Sequence, residues 1–239
     1  MLKKNISIIT IHKGQIENLI KTLNSIDNQK VKNFKNYVIS PFIPKTELKK
    51  FKKKYRKFII GKDKSLYNAM NIGLSYTWSD YILFLNSGDH FYNKNASKII
   101  ALNLNNKCLI FKTILKFKDK TFYTNKSFFE RNYYYPHPSF IRPPQLKNKI
   151  LFKEKYKIDS DGYWIKKNLS FYNSKKIFKN LSVHYLGGLS TSPNINTIKY
   201  YFSTSLFNGI KEILKYLLFK LVSQKNYYQI IYKFKFNIK

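Results

Sequence analysis

One carboxylate in this chain stands where a metal or a phosphate would be bound. The segment Asp63–Asp89 contains an amphipathic helix, then a hydrophobic strand, and ends in the residues Asn86-Ser87-Gly88-Asp89. Because open α/β folds bind their ligands at the carboxyl ends of the strands, such a strand delivers one acid to that edge of the sheet. Carboxylate oxygens are good ligands for hard divalent cations. Asp89 is therefore a candidate for holding a metal or a phosphate-bearing substrate, and the alternative is a turn or helix-capping role.

The elements that would position Asp89 follow from the hydrophobic pattern of the amino-terminal part. Short apolar runs typical of buried parallel strands alternate with segments of helical periodicity. The predicted strands are 6–11, 37–40, 57–60 and 81–85. The predicted helices are 16–23, 46–56 and 66–74. Strands that alternate with helices form a largely parallel, doubly wound sheet, so the predicted fold class is α/β.

After Asn93 the pattern becomes less regular. It contains two short segments with strand-like composition, then an aromatic and proline-rich segment, and then one segment of helical periodicity. They predict an antiparallel pair at 108–115 and 121–124, an ordered loop over 133–144 and a helix over 158–168. This last helix has a capping residue in Asp159 or Ser160.

Composition narrows the class of protein. The chain has 239 residues, 44% of them hydrophobic, and a net charge of +33, which is typical of a folded protein with anionic partners. Its only arginines are Arg56, Arg131 and Arg142, whereas nucleic-acid recognition favours arginine, so no nucleic-acid partner is expected. Cys108 is the single cysteine, which excludes an internal disulfide. With no signal-peptide core before His12 and no apolar run of spanning length, the protein is expected to be cytoplasmic.

The carboxyl-terminal part, residues 191–239, is predicted to be a basic helical region. It contains eight lysines and one glutamate. Apolar residues recur there at helical spacing, namely Ile210, Ile213, Leu214, Leu217, Leu218, Leu221 and Val222. Lys211 and Lys215 lie off that stripe, so the helix is amphipathic. Two interpretations stay open: the helix packs on the main domain, or it lies on an anionic membrane leaflet.

Two motifs resemble glycosyltransferase family 2, whose members have the GT-A nucleotide-sugar-binding fold. Residues 63–73, DKSLYNAMNIG, resemble the sequence D-K-G-I-Y-D-A-M-N-K-G of a bacterial polysaccharide and lipooligosaccharide subgroup. Residues 85–89, LNSGD, are similar to its L-N-S-G-D. The resemblance implies a GT-A catalytic domain over 1–190, with a mixed, mostly parallel sheet flanked by helices, followed by a basic helical extension over 191–239.

The resemblance also implies a donor site. Asp89 would be the acid that holds a divalent cation, Mn²⁺ or Mg²⁺, on the diphosphate of a nucleotide sugar. The residues implied to bind the donor are Thr10, Ser40, Asp63, Tyr67, Asn71, Asn86, Ser87, Gly88 and Asp89. Asn86 stands where other members place an acid, which implies a metal held by one carboxylate and water. Ser40 replaces the acid expected at the base and ribose, so two alternatives stay open: the nucleoside is held differently, or the donor is not a common UDP-sugar.

Three further motifs follow the donor motif along the chain. Residues 156–163, YKIDSDGY, are similar to K-I-A-x-D-Y-D, whose first acid is the general base. The alignment favours Asp161 over Asp159, and two acids this close along a helix face different ways, so only one enters the site. His137-Pro138-Ser139-Phe140 resembles an H-Q-s-x-F loop, although a lone histidine is equally compatible with a loop or core role. Gly187, Gly188 and Ser190 resemble G-G-x-S, where glycines permit close approach to a phosphate or form a plain turn. These residues, with Asp159, are expected on the acceptor side of the site or behind it.

The resemblance implies a metal-assisted, inverting, hexosyltransferase-like enzyme. It would use a nucleotide-sugar donor, most simply a UDP-sugar, and a glycan or glycolipid acceptor of lipopolysaccharide or polysaccharide biosynthesis. The positive charge and the basic helix predict peripheral contact with the inner face of the cytoplasmic membrane. The alternatives are a polyanion-binding or nucleic-acid-binding protein and a degenerate GT-A protein that binds sugars without turnover. A nucleotidyltransferase would carry a glycine-rich phosphate loop near the first strand, which His12-Lys13-Gly14 does not supply.

Overall fold

The computed structural model describes residues 5–78, 80–131, 136–144, 149–155, 158–187, 192–232 and 236–238. The amino-terminal part has the predicted alternation of strands and helices. Its strands are β1 (Ile6–Ile11), β2 (Phe34–Ser40), β3 (Arg56–Ile60) and β4 (Tyr81–Phe84). Its helices are α1 (Ile16–Asp27), α2 (Lys45–Lys50) and α3 (Leu66–Ser75).

These four strands form the parallel half of the sheet. The strand β1 pairs in parallel with β2 on one side and with β4 on the other, and β3 extends the sheet beyond β2. All six residues of β1 are buried, as expected for a strand covered by helices on both faces. On one face α3 packs so closely that a Cβ added at Gly73 would lie 2.5 Å from the side chain of Ile9. This half of the sheet brings the carboxyl ends of its strands to one edge.

The second half of the sheet is mostly antiparallel. It contains β5 (His90–Phe91), β6 (Cys108–Phe117), β7 (Lys120–Thr124), β8 (Phe140–Arg142) and β9 (Ser174–Tyr185), with helices α4 (Ala96–Asn103), α5 (Lys126–Arg131) and α6 (Ser160–Phe171). The predicted pair of β6 and β7 is confirmed. The predicted helix after Asp159 is confirmed as α6.

Three predictions about elements were wrong. The segment 133–144 is not all loop, because β8 lies within the sheet between β4 and β6. Its three residues are fully buried but too few to show a pattern. The predicted helix 46–56 is only α2, since Arg56 already lies in β3, where it binds Asp27 at 2.5 Å. The carboxyl-terminal region is not purely helical, because its last described strand, β10 (Phe236–Ile238), pairs with β7.

The rest of the carboxyl-terminal region consists of helices α7 (Ile195–Thr204), α8 (Leu206–Leu221) and α9 (Gln224–Tyr232). Helix α9 anchors it, because Tyr227 and Tyr228 are buried against Leu115, Phe117 and Phe122 of the sheet. Within the described residues, no helix is long and apolar enough to cross a membrane.

Candidate active site

The turn that carries Asp89 is fixed from both sides. Beyond β4, the amide of Ser87 donates to the carbonyl of Ile11, so the turn stays beside β1. Gly88 has a φ of 101°, a left-handed conformation that glycine adopts without strain. On the other side, the hydroxyl of Thr22 in α1 accepts from the amide of Gly88 at 3.0 Å and donates to the carbonyl of Asp89 at 2.6 Å. These bonds direct the Asp89 side chain into the site.

Asp89 is paired with a histidine from β9. Its Oδ1 lies 2.6 Å from Nδ1 of His184, and the Asp89 side chain is only 6% exposed. Strand β9 alternates its side chains, so Ser182 and His184 lie on the same face, where Ser182 bonds Ser139 at 2.6 Å. The ladder between β6 and β9 is interrupted by two register shifts just before these residues, which is how a strand redirects its side chains toward a site.

His137 connects Asp89, the predicted metal ligand, with Asp161, the predicted general base. Its Nε2 lies 3.5 Å from Oδ2 of Asp89, and its Nδ1 lies 3.2 Å from Oδ2 of Asp161. The structure therefore brings together Asp89, Asp161 and His137, which come from three separate motifs. His184 completes this group, which we call the acid–histidine cluster.

Asn86 lies against the same imidazole. Its Nδ2 is 3.1 Å from Nε2 of His137, while its Oδ1 is buried and has no hydrogen-bond partner among the residues that the structure describes. In this arrangement Nδ2 donates to a neutral imidazole. Turning the amide over would place Oδ1 against Nε2, where it accepts from an imidazolium. The amide at this position therefore accommodates both protonation states of His137, whereas an acid would favour the charged one.

The charges and hydrogen bonds of the cluster favour the ionised form of both carboxylates. Burial by itself raises the pKa of Asp89, but the charge of His184 and hydrogen bonds from His137 and His184 bring it well below its ordinary value. Burial likewise opposes ionisation of Asp161, yet the hydrogen bond and charge of His137 lower its pKa. Burial lowers the pKa of His137, but hydrogen bonds to Asp161 and Asp89 raise it to about 9. At neutral pH Asp161 is thus a carboxylate, the form that accepts a proton.

The first turn of α6 sets the position of Asp161. Tyr67 accepts a hydrogen bond from the amide of Ser160 at 3.2 Å, and the Ser160 hydroxyl accepts from the amide of Lys153. The Asp161 side chain keeps 27% of its surface exposed, the largest share in the acid–histidine cluster. The Asp161 carboxylate is therefore more accessible from solvent than that of Asp89.

Asp159 lies outside the cluster. It is the N-cap residue of α6, as predicted, but with a φ of 62° its side chain makes no capping hydrogen bond. Its carboxylate accepts instead from the hydroxyl of Tyr200 in α7 at 3.2 Å. Burial and the charge of Asp161 raise its pKa, against the hydrogen bond from Tyr200. Asp159 therefore ties α7 to the start of α6.

Several predicted donor residues have structural partners away from the cluster. Thr10 accepts from Asn36 inside the sheet, and the Ser40 hydroxyl bonds the backbone of Phe42 in its own turn. Asn71 holds the backbone of Phe152 through two hydrogen bonds. Tyr67 supports α6, as described above. The structure does not bring these four side chains to Asp89.

The other predicted residues are placed as follows. Ser87 bonds Nδ1 of His12 at 3.0 Å, and burial lowers the pKa of that histidine. Asp63 follows β3 at the same sheet edge, and its Oδ1 is buried without a hydrogen-bond partner in the described part of the chain. Gly187 has a φ of 104° and lies just beyond β9. Gly188 and Ser190 lie outside the described residues.

His184 is the site residue that sequence reasoning missed. No motif marked it, since it lies inside an ordinary strand. Its one signal was its place three residues before Gly187 of the glycine motif. Recognising it required knowing that β9 pairs with β5, directly after Asp89.

The donor set fits a cation that is shared with a substrate. Among the described residues, no three His, Cys, Asp or Glu side chains are grouped so as to hold a metal ion by themselves. Asp89 and His184 provide one carboxylate and one imidazole in direct contact. Mg²⁺ in particular is commonly held by one or two carboxylates together with substrate phosphates and water. Asp89 and His184 could therefore provide part of the ligand set of a divalent cation, with the other ligands coming from outside the protein.

Solved structures with the same fold come from S. aureus TarS. TarS 1–349 in complex with UDP-GlcNAc matches with a TM-score of 0.63 at 17% identity, over 83% of this chain and 64% of that chain. The complex with UDP matches with a TM-score of 0.62 at 16% identity, over 96% and 70%. A third TarS 1–349 structure matches at 18% identity, and this chain spans 62% of its length. No protein-family model and no curated protein matches the chain.

These matches establish the fold. The mixed α/β sheet flanked by helices is GT-A-like, as the sequence predicted. The acid–histidine cluster lies at the edge of this sheet where open α/β folds bind their ligands.

Proposed function

We propose that the protein is a glycosyltransferase of family 2 that moves a sugar from a UDP-sugar to a hydroxyl group with inversion. The observation that carries the proposal is the bridge from Asp89 through His137 to Asp161. This bridge supports the proposal because the buried carboxylate of Asp89 lies on one side of the imidazole and the more exposed carboxylate of Asp161 lies on the other. The binding of UDP and UDP-GlcNAc by TarS, which has the same fold, supports this choice of donor.

Asp89 and His184 would hold a Mn²⁺ or Mg²⁺ ion, which supplies positive charge to the diphosphate leaving group. Asp161 would take the proton of the acceptor hydroxyl while its oxygen attacks the anomeric carbon. The bond between that carbon and the diphosphate breaks, and its electron pair leaves with the nucleotide. A single displacement of this kind inverts the anomeric configuration. His137 orients the Asp161 carboxylate by donating from Nδ1.

The acceptor would be a glycan or glycolipid of the cell envelope, made at the inner face of the cytoplasmic membrane. The similarity of residues 63–73 and 85–89 to a polysaccharide and lipooligosaccharide subgroup supports this assignment.

Calorimetric titration tests the donor assignment. We expect UDP and UDP-GlcNAc to bind the full chain with Mn²⁺ present and to bind much more weakly after chelation with EDTA. RNA of mixed sequence serves as the comparison, because its binding would depend on salt rather than on Mn²⁺. RNA binding without any nucleotide binding would refute the transferase proposal in favour of the polyanion-binding alternative.

Asp63→Ala tests the donor site apart from the metal. Because Oδ1 of Asp63 has no hydrogen-bond partner among the described residues, we propose that it accepts from the nucleoside of the donor. Loss of a hydrogen bond to a charged group is worth about 1.5–3 kcal/mol, so UDP affinity should fall about 10- to 100-fold. The melting temperature of the free protein should not fall, since Oδ1 of Asp63 makes no hydrogen bond to a described residue that the substitution would remove. Asp119→Ala, which removes the same charge at an exposed turn, should bind UDP normally; equal affinities in the two variants would rule Asp63 out.

A further inference from the structure

Helix α8 exposes its most apolar side. Six large apolar residues are between 47% and 83% exposed, namely Leu206, Phe207, Ile210, Leu214, Leu217 and Leu221. At 3.6 residues per turn they fall within an arc of about 100°, which makes them one continuous face. We call these six residues the α8 apolar face.

The opposite side of α8 is the one that packs on the protein. The buried residues of α8 are Gly209 and Glu212, and Glu212 is paired with Lys215 at 2.8 Å. Gly209 meets α7 so closely that an added Cβ would lie 2.3 Å from the ring of Phe202. Phe219 is partly buried toward α9. Since packing uses this side, the α8 apolar face is not the surface by which the helix joins the fold.

An exposed apolar face of this size calls for a partner. Two exposed lysines, Lys211 and Lys220, lie on its two flanks. A second copy of the chain would bring these lysines together, and each copy carries a net charge of +33. An anionic bilayer would attract the same charges while its acyl chains cover the apolar residues. Charge complementarity therefore selects a lipid surface over a second protomer.

We propose that the α8 apolar face docks on the surface of an anionic phospholipid bilayer, with the helix lying in the plane of the interface. At 1.5 Å per residue, the 16 residues of α8 extend for about 24 Å along that surface. The existence of this docking surface follows from the exposure of α8 alone. Its assignment to the inner face of the cytoplasmic membrane rests on the proposed function. Helix α7, which packs on α8, contacts Asp159 through Tyr200. Together, α7 and α8 therefore connect the α8 apolar face to the first turn of α6.

Vesicle flotation tests the proposal on the full chain. The vesicles are an equal mixture of phosphatidylcholine and phosphatidylglycerol, compared with phosphatidylcholine alone. We expect strong preference for the anionic vesicles and at least a tenfold loss of binding in the double variant Leu214→Asn/Leu217→Asn, since each buried leucine contributes substantially to membrane affinity. The matched control is Leu102→Asn/Leu151→Asn, which changes two exposed leucines elsewhere and should bind normally.

The contribution of charge is tested in the same assay. Lys211→Gln/Lys220→Gln should weaken binding to anionic vesicles several-fold more than Lys52→Gln/Lys54→Gln, which removes the same charge far along the chain. Equal binding by the α8 double leucine variant and its control would overturn the proposal. So would a dimer in light scattering that Leu214→Asn/Leu217→Asn dissociates, because the face would then be a subunit interface. Calorimetry with UDP and Mn²⁺ on every variant separates these outcomes from failure of the transferase proposal.

Discussion

Asp161→Asn should abolish sugar transfer while leaving donor binding intact. Asparagine keeps the size of the side chain and can still accept from the amide of Gly162, so α6 should begin as before. It cannot take a proton, and removal of a general base typically lowers the rate about 100- to 10,000-fold. The decrease should appear in kcat, measured as release of UDP with an acceptor present. The affinity for UDP with Mn²⁺ should change less than about threefold, because the substituted side chain at position 161 does not contact Asp89 or His184.

Asp159→Asn is the matched control, because it makes the same change two residues earlier. Asp159 is hydrogen-bonded to Tyr200 and does not contact His137, so we expect the rate to stay within about tenfold of the wild type. A large loss of kcat in Asp159→Asn with a small one in Asp161→Asn would assign the base to the other acid. Comparable losses in both would point to a structural role for the start of α6.

The parallel half of the fold could be predicted because its pattern is local. Strands β1 and β4 are short apolar runs bounded by polar residues, and α3 shows a clear helical stripe. The strand β8 could not be predicted in the same way. It has only three residues beside proline-rich sequence, and its place is set by pairing with β4 and β6, which are distant in the chain.

The acid–histidine cluster was predictable only where a motif marked it. Asp89, His137 and Asp161 lay in recognisable segments, but nothing local indicated that His137 would contact both acids. His184 carried no motif, since its role depends on the pairing of β9 with β5. In contrast, the motif residues Tyr67 and Asn71 form hydrogen bonds to the backbone of neighbouring segments. A residue within a sequence motif can therefore stabilise the segments around the site without lining the site itself. Likewise, the stripe of α8 was visible in the sequence, but which side faces outward depends on the close contact at Gly209.

Asp89→Asn should remove the metal dependence of donor binding. Asparagine is a weaker ligand for a hard cation, so the gain in UDP affinity on adding Mn²⁺ should be lost and kcat should fall about 100-fold or more. The variant also loses charged hydrogen bonds to His137 and His184, which should lower the free energy of unfolding by about 1–3 kcal/mol.

Asp80→Asn separates the two effects of Asp89→Asn. Asp80 is also buried, but it lies just before β4, at the end of the strand away from the site, where it accepts from the hydroxyl of Ser7 at 2.5 Å. Its substitution should lower stability by a similar amount, measured by urea denaturation, yet leave the response of UDP binding to Mn²⁺ unchanged. If Asp89→Asn retained that response, Asp89 would not be the cation ligand. If both variants lost the response to Mn²⁺, the loss would be a consequence of lower protein stability and not of a missing cation ligand. Asp80 and Asp89 are both buried acids, but they lie at opposite ends of β4. A difference between the two variants would therefore reflect the edge of the sheet that each acid occupies, and not burial or charge alone.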